Sequence, residues 1–374
     1  MNPATNSARP LVDLVAGARP NFMKVAPLVR ALQADERLDW RLIHTGQHHD
    51  HEMSQVFFDE LGIPTPHAHF GCAGGSHAGT TAAVMKAFED HCAARTPDAV
   101  VVVGDVNSTL ACALVAKKAG AALAHVEAGL RSGDRRMPEE INRLATDAIS
   151  DWLFATEPDA VANLEREGHA DDCVFHVGHV MVDNLLFQAR ALDRLHPSQR
   201  PAAALKRDVG LRYGVVTLHR PSNVDDPKAL AGLLGALGRI AADLPLVFPV
   251  HPRTRRQLEA TGLALPPRLL LLPPQGYMAF LDLWRDAALV LTDSGGLQEE
   301  TTALGVPCLT LRDNTERPIT VQEGSNQLAG TEPDHIVALA CEVLWQGHRR
   351  GRRPALWDGR AAERIVHILA GRLA

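Results

Sequence analysis

Nowhere in its 374 residues does the chain carry an apolar run close to the roughly 18 residues that a membrane-spanning helix needs. Its first ten residues, MNPATNSARP, lack the charged-then-apolar order of a secretory leader. Cysteine is sparse: Cys72, Cys92, Cys112, Cys173, Cys308 and Cys341 stand far apart, with no CxxC pair and no pairing pattern. A chain of this length does not need disulfide support, so they read as reduced, mostly buried small hydrophobes. These absences predict a soluble, cytoplasmic protein. An excess of positive charge is missing too. The net charge of −6 excludes a protein that depends on counterion release from nucleic acid, while leaving room for a local cationic pocket. There is no repeat of short fixed period, and the one biased segment, HRRGRRP near residue 350, reads as a solvated face.

What is present is an alternation. Hydrophobic residues make up 46% of the chain and charged residues 22%, enough for two cores, since single domains stop growing well before this length. In the first half, LVDLVAGA precedes a helical pattern from about Phe22, DAVVVVGD one from about Asn107, AALAHVEA one from about Pro138, and DWLFAT another. Such alternation signals βαβ units with parallel strands, and the run Val100 to Val103 suits a strand buried on both faces. A second series opens near Gly214: YGVVTLH, a helix from Pro227, PLVFPVH, a helix from Arg253, RLLLLP, a helix from about Tyr277, ALVLTDSGG, a helix from Ser294, and PCLTLR. The fold class expected is α/β, with two Rossmann-like domains. Residues 190–212, rich in charge, alanine and proline, read as a linker flank, which puts the boundary between about 180 and 212.

Acids and bases gather at the predicted strand ends, where ligands of open α/β sheets bind. HVEAGLRSGDRRMPEEINR, residues 125–143, ends a strand on Glu127 and opens a helix with Glu139 and Glu140, with three arginines between them. Acids after Pro138 complement the helix dipole, which is a sufficient structural account of both. Glu127 is different, because a carboxylate closing an apolar strand must find a partner or shift its pKa. It is the strongest single catalytic candidate. GDVNST, residues 104–109, ends the most hydrophobic strand of the first half on Asp105, where helix capping and catalysis are equally good readings. ARPNFMK, residues 18–24, brings Arg19 and Lys24 to a helix start that opposes cations, which favours an anionic partner.

In the second series, LTDSGGLQEE turns through Ser294, Gly295 and Gly296 into a helix carrying Glu299 and Glu300. Small residues there let phosphate oxygens approach backbone N–H groups, and a Glu one turn on can accept both hydroxyls of a ribose, so the segment reads as a nucleoside diphosphate site. Two glycines alone are also an ordinary strand-to-helix turn; the adjoining acids favour the site. His219 and His251 end two predicted strands of the same series, each near an arginine, which suits phosphate or proton handling. TGQHHDHE, residues 45–52, matches no zinc spacing, and no metal is expected there.

Taken together and in order, ARPNFMKVAP, TGQHHD, GDVNST, HVEAGLRSGD, MPEEINR, LHRPSN, TDSGGLQEE and NTERP resemble the non-hydrolysing UDP-N-acetylglucosamine 2-epimerase family, from about residue 12 to the C-terminus. The resemblance implies a GT-B fold, two Rossmann-like domains facing a central cleft. Residues 1–185 would form the N-terminal domain, with a C-terminal helix 357–374 packing back on it, and residues 186–356 the nucleotide-binding domain. It also implies a homodimer, no cofactor and no metal. Carried over by motif, the catalytic cluster is Lys24, Asp105, Glu127, Glu139 and His219. The nucleotide shell is Arg19, Gln275, Phe280, Ser294, Gly295, Gly296, Glu300 and Arg317, with Phe280 against the uracil and Glu300 on the ribose. Gln47, His48 and His251 match part of a motif with which bacterial members bind a second UDP-sugar as activator.

The chain departs from the bacterial pattern in three places. Only Arg135, Arg136 and Met137 stand between GD and PEE, Ile319 follows NTERPI's proline where an acid is usual, and GARP with NFMK replaces an acidic form. Relatives acting on other UDP-2-acetamido sugars therefore stay open. So do a hydrolysing epimerase, a GT-B glycosyltransferase and a non-catalytic UDP-sugar sensor.

Overall fold

The computed structural model describes residues 9–17, 19–46, 58, 60–347 and 351–374, with only the backbone of Arg19, Pro20 and Gln346. The chain divides into two compact units, Met1–Asn184 with Ala355–Ala374, and Leu185–Pro354.

The first unit alternates β1 (Leu11–Ala16), α1 (Arg19–Ala34), β2 (Asp39–His44), β3 (Ala68–His69), α2 (His77–Ala94), β4 (Ala99–Val103), α3 (Asn107–Lys118), β5 (Ala122–Ala128), α4 (Pro138–Ile149), β6 (Trp152–Ala155), α5 (Pro158–Arg166) and β7 (Val174–His176). Helix α6 (Val180–Arg194) then carries the chain across the unit boundary. The strands form one parallel sheet in the order β3-β2-β1-β4-β5-β6-β7. All five residues of β4, AVVVV, are buried, as β-branched residues covered on both faces should be.

The second unit adds α7 (Ala203–Val209), β8 (Gly214–Thr217), α8 (Pro221–Val224), α9 (Pro227–Asp243), β9 (Leu246–Pro249), α10 (Pro252–Thr261), β10 (Leu269–Leu272), α11 (Tyr277–Trp284), β11 (Leu289–Thr292), α12 (Gly295–Leu304), β12 (Cys308–Thr310), α13 (Pro318–Gln322), β13 (Asn326–Leu328) and α14 (Pro333–Cys341). Its parallel sheet runs β10-β9-β8-β11-β12-β13. In both sheets the strand order reverses direction at one place, between β1 and β4 and between β8 and β11. A doubly wound sheet leaves a crevice beyond the carboxyl ends of the strands at such a switch point.

The last helix, α15 (Ala361–Leu373), belongs to the first unit and packs on α1, burying Ile365, Val366 and Leu369. It starts at Ala361, later than the 357 read from sequence, because Trp357 sits buried in a turn with its indole N–H donating to the Thr156 carbonyl. Gly178 lets the two chain crossings meet: at φ +89° it has no Cβ, and one built there would stand 2.1 Å from the Leu356 carbonyl oxygen. Residues 190–212 are largely helical, in the end of α6 and in α7, which corrects the reading of that stretch as linker: its alanines and long side chains are good helix formers. Of the cysteines, Cys92, Cys112 and Cys308 are buried, Cys72 and Cys173 are half-buried and Cys341 is exposed; all are free thiols. Among the described residues no helix is long and apolar enough to cross a membrane.

Candidate active site

The switch point of the first unit gathers three of the residues singled out from sequence. Glu127 lies near the end of β5 at a register shift between Val126 and Ala128, and its φ of 74° falls in the left-handed region that a side chain seldom occupies. Such a conformation costs of order 1–3 kcal/mol and persists only where the surroundings impose it. What it achieves is direction: the bulged residue turns its carboxylate onto Lys24 of α1, with which it forms a buried ion pair. Gly104, which directly follows β4 at φ +69°, lies against this pair. A methyl group there would stand 3.2 Å from Lys24 Nζ, 3.3 Å from Asn21 Nδ2 and 3.8 Å from Glu127 Oε2, so any side chain would disturb the pair. Asn21 in turn donates to the Val103 carbonyl at 2.9 Å.

Asp105 follows Gly104 directly. Its carboxylate accepts from Arg143 Nη2 at 2.7 Å and its carbonyl accepts from Asn142 Nδ2 at 2.8 Å, both from α4. Arg143 is shared with Glu140, at 2.7 Å, and Glu140 also accepts the backbone N–H groups of Ser132 and Gly133. Burial alone would raise the Glu140 carboxyl, but those N–H groups and Arg143 hold it below the usual carboxylate range. The two neighbouring acids thus divide: Glu140 is buried and holds the loop together, whereas Glu139 is exposed and outside that network.

In the second unit the organising group is Asp293, which the sequence reading passed over inside TDSGG. It is fully buried and accepts the backbone N–H of His219 and Arg220, Asn223 Nδ2 at 3.2 Å, and His219 Nδ1 at 2.8 Å. Burial would raise it, but the His219 ring and these N–H groups keep it low, hence anionic. His219 at the end of β8 therefore presents a ring fixed by Asp293, with the His251 ring 6.3 Å away. His251 caps α10, accepting from the Arg253 N–H, and burial followed by its neighbour His219 pushes it below the ordinary imidazole range.

Beside Asp293, Ser294 caps α12, and Gly295 and Gly296 form its first turn, leaving helix N–H groups open to an anion. Glu300, one turn on, accepts from the Tyr277 hydroxyl at 3.2 Å. Gln275 and Phe280 are half-buried in the loop before α11 and in that helix, Gln275 Nε2 donating to the Pro273 carbonyl at 2.8 Å. Arg317 forms an ion pair with Glu299. A second arginine, Arg312, grips Glu316, whose carboxyl falls to about 2 because this contact outweighs its burial. The backbone of Arg19 opens α1, and Gln47 and His48 lie outside the described residues. Among the described residues no group of His, Cys, Asp and Glu side chains is arranged to hold a metal ion.

Each unit thus ends in its own polar strand-end cluster, Lys24, Asp105 and Glu127 in one, His219, Ser294 and Glu300 in the other. Comparison with known proteins gives this pattern a family. The family described as UDP-N-acetylglucosamine 2-epimerase matches residues 30–370. The UDP-N-acetylglucosamine 2-epimerase of Methanocaldococcus jannaschii is 40% identical over 96% of this chain and 98% of its own. The UDP-2,3-diacetamido-2,3-dideoxy-D-glucuronate 2-epimerase of Pseudomonas aeruginosa is 41% identical over 95% and 98%. The crystal structure of the M. jannaschii epimerase in complex with UDP-GlcNAc and UDP superposes with a TM-score of 0.84 at 40% identity, covering 96% of this chain and 99% of that one. Two parallel-sheet α/β domains of the GT-B-like kind, matched over almost their whole length, place this chain in the UDP-N-acetylglucosamine 2-epimerase family.

Proposed function

We propose that the protein catalyses the reversible C2 epimerisation of UDP-N-acetylglucosamine to UDP-N-acetylmannosamine, by elimination and re-addition of UDP through a 2-acetamidoglucal. The observation that carries this reading is the strained, buried Glu127 paired with Lys24, with Asp105 held by Arg143 immediately after Gly104. A nucleotide sugar has no carbonyl beside C2 to acidify its hydrogen, so a carboxylate alone is too weak a base. Departure of UDP supplies the activation. The C1–O bond breaks with its electron pair leaving on the diphosphate, positive charge grows at C1, a carboxylate takes the C2 proton, and the C1=C2 bond forms. In return a diphosphate oxygen adds to C1 while a proton reaches C2 from the opposite face.

Glu127, Asp105 and Glu139 share the acid and base roles in this scheme, while Lys24 and His219 stabilise the departing diphosphate. Ser294, Gly295 and Gly296 hold the diphosphate, Glu300 the ribose and Phe280 the uracil, with Gln275, Arg19 and Arg317 completing the nucleotide shell. The M. jannaschii relative, crystallised with UDP-GlcNAc and UDP, supports a UDP-sugar as substrate. Under this reading the protein needs no cofactor, works as a homodimer in the cytoplasm, and uses Gln47, His48 and His251 for an activating UDP-sugar.

A second reading changes only the sugar. The P. aeruginosa relative is named for a diacetamido uronate and is as similar to this chain as the archaeal epimerase. The test incubates purified protein in D2O with each UDP-sugar and follows C2 by NMR. Deuterium at C2 of UDP-N-acetylglucosamine, with the manno epimer appearing, is expected. Faster exchange on the diacetamido uronate transfers the assignment to that sugar. Release of free N-acetylmannosamine means a hydrolysing enzyme, dependence on an acceptor a transferase, and tight UDP binding without exchange a sensor.

A further inference from the structure

His125 lies two residues before Glu127 on β5 and is completely buried, yet it touches the residue before Asp105 and, through Asp147, reaches the segment just after Glu127. Its Nε2 lies 2.9 Å from the Gly104 carbonyl, the residue before Asp105. A carbonyl only accepts, so Nε2 carries a hydrogen. Its Nδ1 lies 2.5 Å from Asp147 Oδ1, on the third turn of α4. The other oxygen of Asp147 accepts the N–H of Gly129, two residues after Glu127, at 3.0 Å, and Arg131 at 2.7 Å. Arg131 is itself gripped by Glu167 at 2.8 and 2.6 Å. Burial would push Asp147 up, but the His125 ring and Arg131 outweigh it and keep the carboxyl low. The ring thus bridges the Gly104 carbonyl on one nitrogen and the Asp147 carboxylate on the other.

We infer that His125 and Asp147 are positioning residues: one buried histidine–aspartate pair fixes the Gly104 carbonyl that sets Asp105 and the Gly129 amide that sets Glu127. The pair does not reach the substrate. It acts through backbone, tying the two acid-bearing strand ends to each other and to α4, which supplies Arg143 to Asp105 from the same helix. Gly104 is clamped a second time by its own N–H, which donates to the Val126 carbonyl at 3.0 Å. Exchange at C2 needs both acids placed to within a fraction of an ångström, and a misplacement of about 1 Å from a change away from the chemistry can cost about 100-fold in rate. This inference rests on the epimerase reading above.

The test uses two amides that imitate one ring nitrogen each. His125→Asn keeps a donor near Nδ1 for Asp147 and loses the Gly104 bond; His125→Gln keeps a donor near Nε2 for Gly104. His125→Asn is expected to lower kcat for C2 exchange by roughly 10- to 100-fold with KM within about threefold. UDP binding by calorimetry should be unchanged, and His125→Gln should recover most of the loss. Asp147→Asn, a second variant should His125→Asn fail to fold, is expected to show the same kcat-selective loss. A His125→Asn enzyme with normal kcat overturns the assignment, as does a matched fall in kcat, UDP affinity and melting temperature that His125→Gln does not relieve. A wild-type protein that exchanges C2 of neither UDP-sugar overturns the epimerase reading, and this assignment with it; wild-type exchange with unimpaired variants overturns this assignment alone.

Discussion

Glu127 combines two costs that a purely structural residue would not bear together, a left-handed backbone and a buried charge. Replacing it by Gln keeps the shape and removes the charge, so Lys24 is left buried beside a neutral amide. Glu127→Gln is expected to lose at least roughly 100-fold in C2 exchange, the scale of a general acid or base. Near-normal turnover, measured by deuterium uptake, would remove Glu127 from the reaction. Gly104 gives a second residue-scale prediction from geometry alone. Gly104→Ala sets a methyl 3.2 Å from Lys24 Nζ at a φ of +69°, so both the ion pair and the loop must yield. Turnover should fall by about tenfold or more, with UDP binding retained, because displacement of a reacting group acts on kcat. Glu127 was legible in the sequence as a carboxylate closing an apolar strand. The bulge that aims it was not, since the pattern HVEA looks like unbroken strand. Asp293 was hidden differently: sequence cannot distinguish a buried acid collecting four donors from a capping residue beside two glycines.

Helix α4 explains why the acids of MPEEINR are easy to misassign. Glu140, Arg143 and Asp147 follow one another at i, i+3 and i+7, so a single face of the helix is charged and buried, where periodicity leads one to expect apolar residues. Each of the three finds a partner at a strand end, and Glu139, one position round, is left exposed. Where apolar runs and proline or small-residue starts agree, elements were legible: α3, α4, α9 and α11 begin where the sequence places them, whereas β2, α2 and α6, long as they are, were not picked out. Strands of two or three residues such as β3, β7 and β13 escaped, having too few positions to show a period. A pH prediction belongs at this scale too. Asp183 of α6 is buried where its carboxylate accepts the Ala362 N–H at 2.7 Å, capping α15, and desolvation, which exceeds the pull of the Ala361 and Ala362 N–H groups, lifts it to about 6. A carboxyl raised on folding favours the protonated folded state: its contribution is complete below about pH 4 and is lost as pH climbs through 6. The loss amounts to about 3 kcal/mol at neutral pH. Asp183→Asn, which cannot ionise, should therefore gain melting temperature relative to wild type between pH 4.5 and 7.5; parallel curves would show that Asp183 does not pay this cost.

At the scale of the whole chain, the two units each have a doubly wound sheet of their own and their own strand-end cluster, and the proposed function gives most of the nucleotide contacts to the cluster of the second unit. This division makes UDP alone an informative ligand. UDP lacks the sugar, and apart from Arg19 and Lys24 the diphosphate, ribose and base contacts proposed for it fall in the second unit, at His219 and around α11, α12 and the start of α13. UDP at 100 times its Kd should stabilise the state that binds it by about 2.7 kcal/mol. For a unit of this size that corresponds to a rise of roughly 5–10 °C in melting temperature. Trp284, buried in the second unit, and Trp357, buried in the first, are native tryptophans in the two bodies, and single-tryptophan versions retaining one or the other can follow each unit. The Trp284 signal should move with UDP. Glu300→Gln, which weakens the grip on the ribose by replacing a charged acceptor, should lower UDP affinity by roughly tenfold and shrink that shift. Glu127→Gln should leave it untouched while abolishing C2 exchange. If instead the Glu300 variant bound UDP normally, or the Glu127 variant lost UDP binding along with turnover, the separation of nucleotide holding from ring chemistry between the two units would be wrong.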